Sequence, residues 1–325
     1  MSEGPGKPKG LELLTQILEA EDRGAVVLAA RLREELRQRL GRKNTPWESV
    51  LKWHEVPRVY REREKEDPKV ADAKIEILEF FKQRPEEVFY ERQLEVLFER
   101  QFFHWVSGLA LGELEAEGRI SSELVPLWPN MDRPQLRFYR NPQYKFWRRK
   151  ANATRKLVRR FSADGFGTAM GEHAMLLFDA GLGGAGFRVA AKDVRSWGGR
   201  EWCTTGHDLD RVYERDGLFY GVEIKNTLPY IPSDEFKAKL AMSIYFGIPP
   251  LFICRMLPKS YIHALQVWGG GFALIHEWQF YPLGHEELGK SVEKHLGIKT
   301  AHRLLTGTVE RFLRWHEKRV ARKVE

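Results

Sequence analysis

The dipeptide Asp216–Gly217, set between two strand-like runs, constrains this chain more than any other feature of it. Leu209–Glu214 and Leu218–Ile224 read as strands, and Asp-Gly is the pair a two-residue type I′ turn selects. A reversal there pairs Arg215 with Leu218 and proceeds outward, so that Asp210 falls opposite Glu223 and Asp208 opposite Lys225. Side chains alternate across a strand. Asp208, Asp210, Glu223 and Lys225 are therefore expected on one face of the hairpin. Leu209, Tyr213, Tyr220, Val222 and Ile224 are expected on the other, where they can be buried.

Directly opposed side chains sit about 4.5–5.5 Å apart at Cβ. Two carboxylates at that separation repel each other unless a cation or a proton comes between them. Hard oxygen ligands so placed suit Mg²⁺ or Mn²⁺, with positions left for water and a substrate phosphate. The Ile224 backbone carbonyl lies within range to add a ligand. Lys225 stands where it would orient an attacking water and stabilise charge on phosphorus. The expected chemistry is hydrolysis of a phosphodiester.

Asp210, thirteen positions before Glu223, followed by Ile224 and Lys225, resembles the Asp…(Asp/Glu)-x-Lys signature of the restriction-endonuclease-like, or PD-(D/E)xK, nuclease superfamily. The resemblance runs from about Gly165 to Pro282, a layout shared by archaeal Holliday-junction resolvase and DNA-defence nuclease domains. It implies an α/β fold, a restriction-endonuclease-like mixed sheet flanked by helices. It also implies Asp210, Glu223 and Lys225 as catalytic residues, with Glu172, on the upstream helix, assisting. Mg²⁺ (or Mn²⁺) would be held by Asp210, Glu223 and the Ile224 carbonyl, with Asp208 as reserve ligand; which aspartate is the main ligand stays open. Asn226 fits the wider pattern. Acid-x-Lys also occurs at Asp67–Lys69, Asp72–Lys74 and Glu235–Lys237, where a solvated helix face is the reading. Lys237 and Lys239 are likewise read as exposed, His173 and His207 as local hydrogen-bonding residues, and Cys203 as a buried thiol.

Upstream, the chain is expected to be helical over 11–40, with a polar connector over 41–68. Residues 69–140 carry three amphipathic helices, the first with Ile75, Leu78, Phe80 and Phe81, the second with Leu94, Leu97 and Phe98. The third closes in Leu111, Leu114, Gly118 and Ile120, and two strands follow around Leu124–Trp128 and Gln135–Tyr139. This order resembles a winged-helix domain. Its third helix carries Glu113, Glu115 and Glu117, an acidic set for a phosphate-facing surface. Arg140–Arg160 holds nine basic residues and no acidic one, with Tyr139, Tyr144, Phe146 and Trp147 among them. A basic run mixed with aromatics suits a phosphate backbone and unstacked bases. Arg148, Arg149, Lys150, Arg155, Lys156, Arg159 and Arg160 are thus expected to bind nucleic acid.

The resulting division is a helical N-terminal region (1–68), a winged-helix-like module (69–140), a basic linker helix (141–164), a nuclease-like domain (165–285) and a helical basic tail (286–325). The length of 325 residues accommodates this. A net charge of +8 fits an anionic partner without requiring one. No apolar run approaches a membrane span, Met1–Gly10 has no secretory pattern, and two cysteines cannot form a disulfide framework or a four-ligand zinc site. An intracellular, cytoplasmic DNA endonuclease is the expectation, with a homodimer by analogy. The alternatives are an RNA nuclease of the same chemistry and a non-catalytic nucleic-acid-binding regulator or scaffold.

Overall fold

The computed structural model describes residues 46–51, 68–129, 131 and 134–324; the helices expected over 11–40 lie outside them. The first described element is a short helix, α1 (Pro46–Leu51). Within the span expected to be a polar connector, these six residues pack into the core. Val50 is fully buried, and the Trp47 ring packs edge-on against Trp202 and Tyr245 at centroid distances of 5.4 and 5.5 Å.

A module of three helices and three strands follows: α2 (Pro68–Lys82), β1 (Val88–Tyr90), α3 (Glu91–Phe98), α4 (His104–Ala116), β2 (Ser121–Pro126) and β3 (Gln135–Arg140). The strands form an antiparallel sheet with β3 in the middle. Helix α2 buries Val70, Ala73, Ile77 and Phe81, a stripe at three- and four-residue spacing, against α4. Ile75, expected on that stripe, is exposed, because a residue two positions from both Ala73 and Ile77 points to the opposite side of the helix. Gly118 ends α4 in the left-handed region at φ +67°. The Arg119 and Ile120 amides then donate back to the Leu114 carbonyl at 2.9 and 3.3 Å, and Ile120 drops into the core.

The basic segment forms α5 (Trp147–Phe161), followed by α6 (Phe166–Gly184). Then come β4 (Arg188–Val194), a small hairpin of β5 (Ser196–Trp197) and β6 (Arg200–Glu201), β7 (Leu209–Arg215), β8 (Leu218–Lys225), α7 (Ser233–Phe246), β9 (Pro250–Cys254), α8 (Lys259–Gly269) and β10 (Phe272–Ile275). The last elements are β11 (Gln279–Phe280), α9 (Glu286–Leu296), β12 (Thr300–Ala301) and α10 (Glu310–Val324). The protein is thus a mixed α/β structure. Its main sheet has five strands in the order β10-β9-β8-β7-β4; β8, β9 and β10 are parallel, while β7 and β4 pair antiparallel. The parallel pairs are joined by helical crossovers, α7 and α8, as parallel strands require. Helices α1, α7 and α8 pack with Val212, Phe252 and Cys254 on one face. Helices α6 and α10 cover Tyr213, Tyr220, Val222 and Ile224 on the other. Among the described residues no helix is long and apolar enough to cross a membrane.

The hairpin closes at the residues the sequence indicates. Asp216 and Gly217 both have positive φ, +54° and +67°, as a type I′ turn demands, and pairing runs from Arg215–Leu218 to Arg211–Val222. Helix α10 locks this turn from outside the sheet. His316 is fully buried, with Nδ1 2.7 Å from the Tyr220 hydroxyl and Nε2 2.9 Å from Asp216 Oδ2. Phe312 is also fully buried, among Phe187, Tyr220 and Phe272 at centroid distances of 5.1, 5.2 and 5.6 Å. Residues 286–324 are therefore not a separate basic tail. Arg311, Arg314 and Lys318 are exposed on α10, while Phe312 and His316 on its other side complete the sheet's packing.

Phe312→Ala is expected to lower unfolding stability by about 3–5 kcal/mol, the range for emptying a buried aromatic site. Denaturant unfolding followed by far-ultraviolet circular dichroism measures this; a change below about 1 kcal/mol would restore the tail reading.

Candidate active site on the hairpin face

Gly221 decides how closely α7 approaches the sheet. A Cβ at that position would lie 2.7 Å from Ser243 Oγ and 2.9 Å from Leu209 Cδ1, so a side chain there would push the helix away. With glycine, α7 settles onto β8, and its residues one and two turns before Ser243 come down over the strand. Those residues are Lys239 and Glu235. Lys239, expected in solvent, is 4% exposed, and Lys237 is also buried.

The cluster that results is larger than the sequence reading. Glu223, near the C-terminal end of β8, is 1% exposed. Lys239 Nζ lies 2.6 Å from its Oε2 and Lys225 Nζ 2.9 Å from its Oε1. Lys225 also meets Glu235 Oε1 at 2.6 Å, and Lys239 meets Asp208 Oδ1 at 3.5 Å. Asp208 therefore pairs with Lys239, not with Lys225 as the extrapolated register implies. One step beyond the last recorded pair of the hairpin, the Asp210 carboxylate turns onto the backbone: Oδ2 accepts the Ile224 N–H at 2.7 Å.

Leu209 corrects the expected facing. It contacts the Gly221 site and the α7 side of the core, not the face of Tyr213 and Val222. The alternation breaks at the start of β7, where the neighbouring β4 carries Asp193 in the left-handed region at φ +49°. Beyond that point β7 pairs regularly with β8, while the β4–β7 register shifts between Val189 and Ala191. Arg211, on the α6 face, is buried against Asp179, which also accepts the Tyr213 hydroxyl at 2.6 Å.

Burial dominates the electrostatics. It pushes the Glu223 carboxyl up to about 7, assisted by the charge of Asp210 and opposed by Lys239 and Lys225. Burial also raises Asp210, against the Ile224 N–H bond that favours its ionised form. For Lys225, burial disfavours the ammonium, but Glu223 and Glu235 outweigh it and hold the group above the ordinary lysine range. Lys239 is raised through Glu223 in the same way, also against burial. Four carboxylates thus face two ammoniums, leaving two negative charges uncompensated when all are ionised. Both Glu223 oxygens are buried without a directional hydrogen bond, although ammonium groups stand beside them. Among the described residues no group of three or more His, Cys, Asp or Glu side chains is arranged to hold a metal ion.

Other expected site residues fall elsewhere. Glu172 is exposed on α6 and makes no hydrogen bond or ion pair with the cluster. The buried ridge of its helix, Ala174 and Phe178, covers the opposite face of the sheet from Glu223. Asn226 is structural: its side chain donates to the carbonyls of Met170 and Phe280 at 3.0 and 2.6 Å and accepts the Phe280 N–H at 2.8 Å. His173 bonds the His302 carbonyl and His207 the Thr205 hydroxyl. Cys203 is exposed, contrary to expectation.

The seven cations of α5 divide into two groups. Arg155 and Arg159 donate to the carbonyls of Pro126 and Leu127, Lys150 pairs with Glu87 at 2.9 Å, and Arg148 with Glu123 at 3.5 Å. Arg149, Lys156 and Arg160 make no such contact among the described residues; spaced seven and four apart, they lie along one stripe of the helix.

No protein-family model, curated protein or solved structure matches the chain.

The raised Glu223 carboxyl predicts a pH dependence. Below about 4.5 the folded and unfolded states both hold its proton. Between there and about 7 only the folded state keeps it, so stability falls as pH rises, by up to about 3 kcal/mol. Denaturant unfolding from pH 4.5 to 8 in the presence of EDTA, compared with Glu223→Gln, isolates this contribution; parallel profiles would exclude it.

Proposed function

We propose that this protein is a metal-dependent DNA endonuclease of the restriction-endonuclease-like type. The observation that carries the reading is the Glu223 carboxyl group, buried on the central strand with Asp210 beside it, in a cluster of four acids and two lysines. The order α6-β4-β7-β8-α7-β9, with the acids on the β7–β8 hairpin, is consistent with that fold. Asp210, Glu223 and the Ile224 carbonyl supply oxygen donors of the kind Mg²⁺ or Mn²⁺ selects. A bound divalent ion would lower the pKa of an attacking water and neutralise phosphate charge.

The chain's own groups then have distinct tasks. Lys225 remains an ammonium at neutral pH, so it serves as a fixed cation that orients water and stabilises charge on phosphorus, not as a general base. Glu235 holds Lys225 in position, and Asp208 anchors Lys239. Asp210 is favoured over Asp208 as metal ligand, since it is more buried and is oriented by the Ile224 amide.

The α2-β1-α3-α4-β2-β3 order of the first module, with β3 central, favours a winged-helix reading. Its third helix is a poor phosphate surface, since the exposed side of α4 presents Leu109, Gly112, Glu113 and Ala116 without a cation. Nucleic-acid binding is assigned instead to the Arg149–Lys156–Arg160 stripe of α5. One observation favours a second, non-catalytic reading: the two ammoniums already flank both Glu223 oxygens. A binding regulator would show salt-dependent DNA affinity with no response to divalent ions.

Glu223→Ala and Lys225→Ala are each expected to lower Mg²⁺-dependent nicking of plasmid and branched DNA by at least roughly 10²–10³-fold. DNA affinity in EDTA should stay within about two-fold, read by gel shift. Undiminished cleavage by folded Glu223→Ala would overturn the assignment, and cleavage of RNA alone would change the substrate.

A further inference from the structure

The start of α5 combines an uncovered aromatic ring with a concentration of cations. Phe146, the residue just before the helix, is 82% exposed, the most exposed large apolar side chain among the described residues. Its neighbour Trp147 is buried, with the Arg140 and Arg148 guanidinium groups over its ring at 5.2 and 5.0 Å. The difference is not a matter of hydrophobicity: two adjacent aromatics are sorted, one into the core and one into water.

A recess of about 660 Å³ opens around Phe146, lined by Tyr144, Lys145, Arg148, Arg149 and Lys150 besides it. No acidic side chain lines it. Lys150 Nζ lies 5.7 Å from the Tyr144 ring centroid, which holds that ring at the wall. Lys145 and Arg149 are exposed and have no ion-pair partner among the described residues. The turn leading in is fixed, with the Gln143 amide donating to Asn141 Oδ1 at 3.0 Å and the Tyr144 amide to the Asn141 carbonyl at 3.1 Å. Phe146 is thus an exposed ring on an ordered support, not on a loose chain end.

A duplex keeps its base faces stacked inside and offers a protein surface mainly phosphates. An exposed ring gains nothing from that, whereas the π-face of an unstacked base gains directly from it. Cations around the ring suit the phosphates on either side of such a base. We propose that the Phe146 recess is a docking site for an unpaired DNA strand, its base stacked on Phe146 and its phosphates held by Lys145 and Arg149. The inference rests on the nuclease reading for the choice of DNA and deepens it: the substrate is DNA in which single strand adjoins duplex.

The test is done in EDTA on the full chain carrying Glu223→Ala, so that binding is read without cleavage. Fluorescence anisotropy with labelled dT20, a 20-base-pair duplex and a forked DNA is compared with and without Phe146→Ala. The expected result is a roughly ten-fold weaker grip on dT20 and on the fork, with duplex affinity within two-fold. Phe146→Trp should keep dT20 binding and show indole quenching on addition of the strand. Lys145→Ala and Arg149→Ala should each reduce the dT20 salt slope by about 0.7, the value for one single-strand phosphate. Equal losses on dT20 and duplex, or none on either, would overturn the site, as would Phe146-dependent flotation with anionic vesicles in the absence of dT20 binding. Tighter binding of rU20 than dT20 would overturn the choice of DNA. Failure of cleavage by the wild-type chain, with Phe146-dependent dT20 binding intact, would sink the catalytic reading and leave this site standing.

Discussion

Burying a carboxylate in the third of five strands is costly unless its charge is answered at close range. Much of the architecture around β8 follows from that requirement at Glu223. The answering groups cannot all come from the sheet, because neighbouring strands place either apolar side chains or another acid, Asp210, beside it. They come in part from α7, and α7 reaches the strand only because residue 221 lacks a side chain. Ser243 touches the Gly221 position, and one turn earlier Lys239 meets Glu223. A glycine, a small polar helix residue and a buried lysine thus form one linked arrangement. The opposite face of the same hairpin carries its own buried charge, Arg211 on Asp179, which ties β7 to α6. The two clusters fix the hairpin between helices from both sides.

A second network joins the N-terminal module to the sheet. Arg255, at the end of β9, is buried against Glu99 at 2.5 and 2.6 Å, and Glu99 also meets His104 Nε2 at 3.3 Å. His104 opens α4: its ring stacks on Tyr230 at 4.2 Å and its amide donates to the Tyr230 hydroxyl at 3.1 Å. Tyr230 stands in the loop that follows Lys225. The start of α4 is therefore spent on contact with the chain itself, which accounts physically for a third helix that carries so little positive charge. Helix α5 is instead left with a free cationic stripe, while four of its cations brace β2 and the segment before β1.

The hairpin was legible because its information is local: a turn that only certain residue pairs make, and a two-residue period that assigns faces. The reading fails at Leu209, which lies beyond the Arg211–Val222 end of the hairpin pairing and packs on the α7 side. Lys239 and Glu235 were not legible for the opposite reason. On a helix, acid-x-Lys looks the same in solvent and in a buried site, and the deciding fact is the distance between two elements far apart in sequence. The only local trace was Gly221 within an otherwise side-chain-rich strand, the signature of a close approach. In the sequence of helix α10 the cations are conspicuous, whereas Phe312 and His316, four apart on its hidden side, carry the packing. Glu172 shows the limit of a motif: the residue type and helix are as expected, but the helix covers the other face.

The charge count bears on how the two lysines differ. Lys225 is held by two carboxylates from separate elements, Glu223 and Glu235, both at under 3 Å, so removing either still leaves it a partner. Lys239 has one close partner in Glu223 and a looser one in Asp208 at 3.5 Å, which is itself half open to solvent. A cation that entered beside Glu223 would therefore compete with Lys239 more readily than with Lys225, and Asp208 is the group positioned to keep the displaced ammonium from being stranded. Asp208 thus has a role that follows from Lys239 alone. Glu235 and Asp208 have a task of their own beside Glu223 and Asp210: they keep the two lysines charged and in place at a site too dry to hold them otherwise.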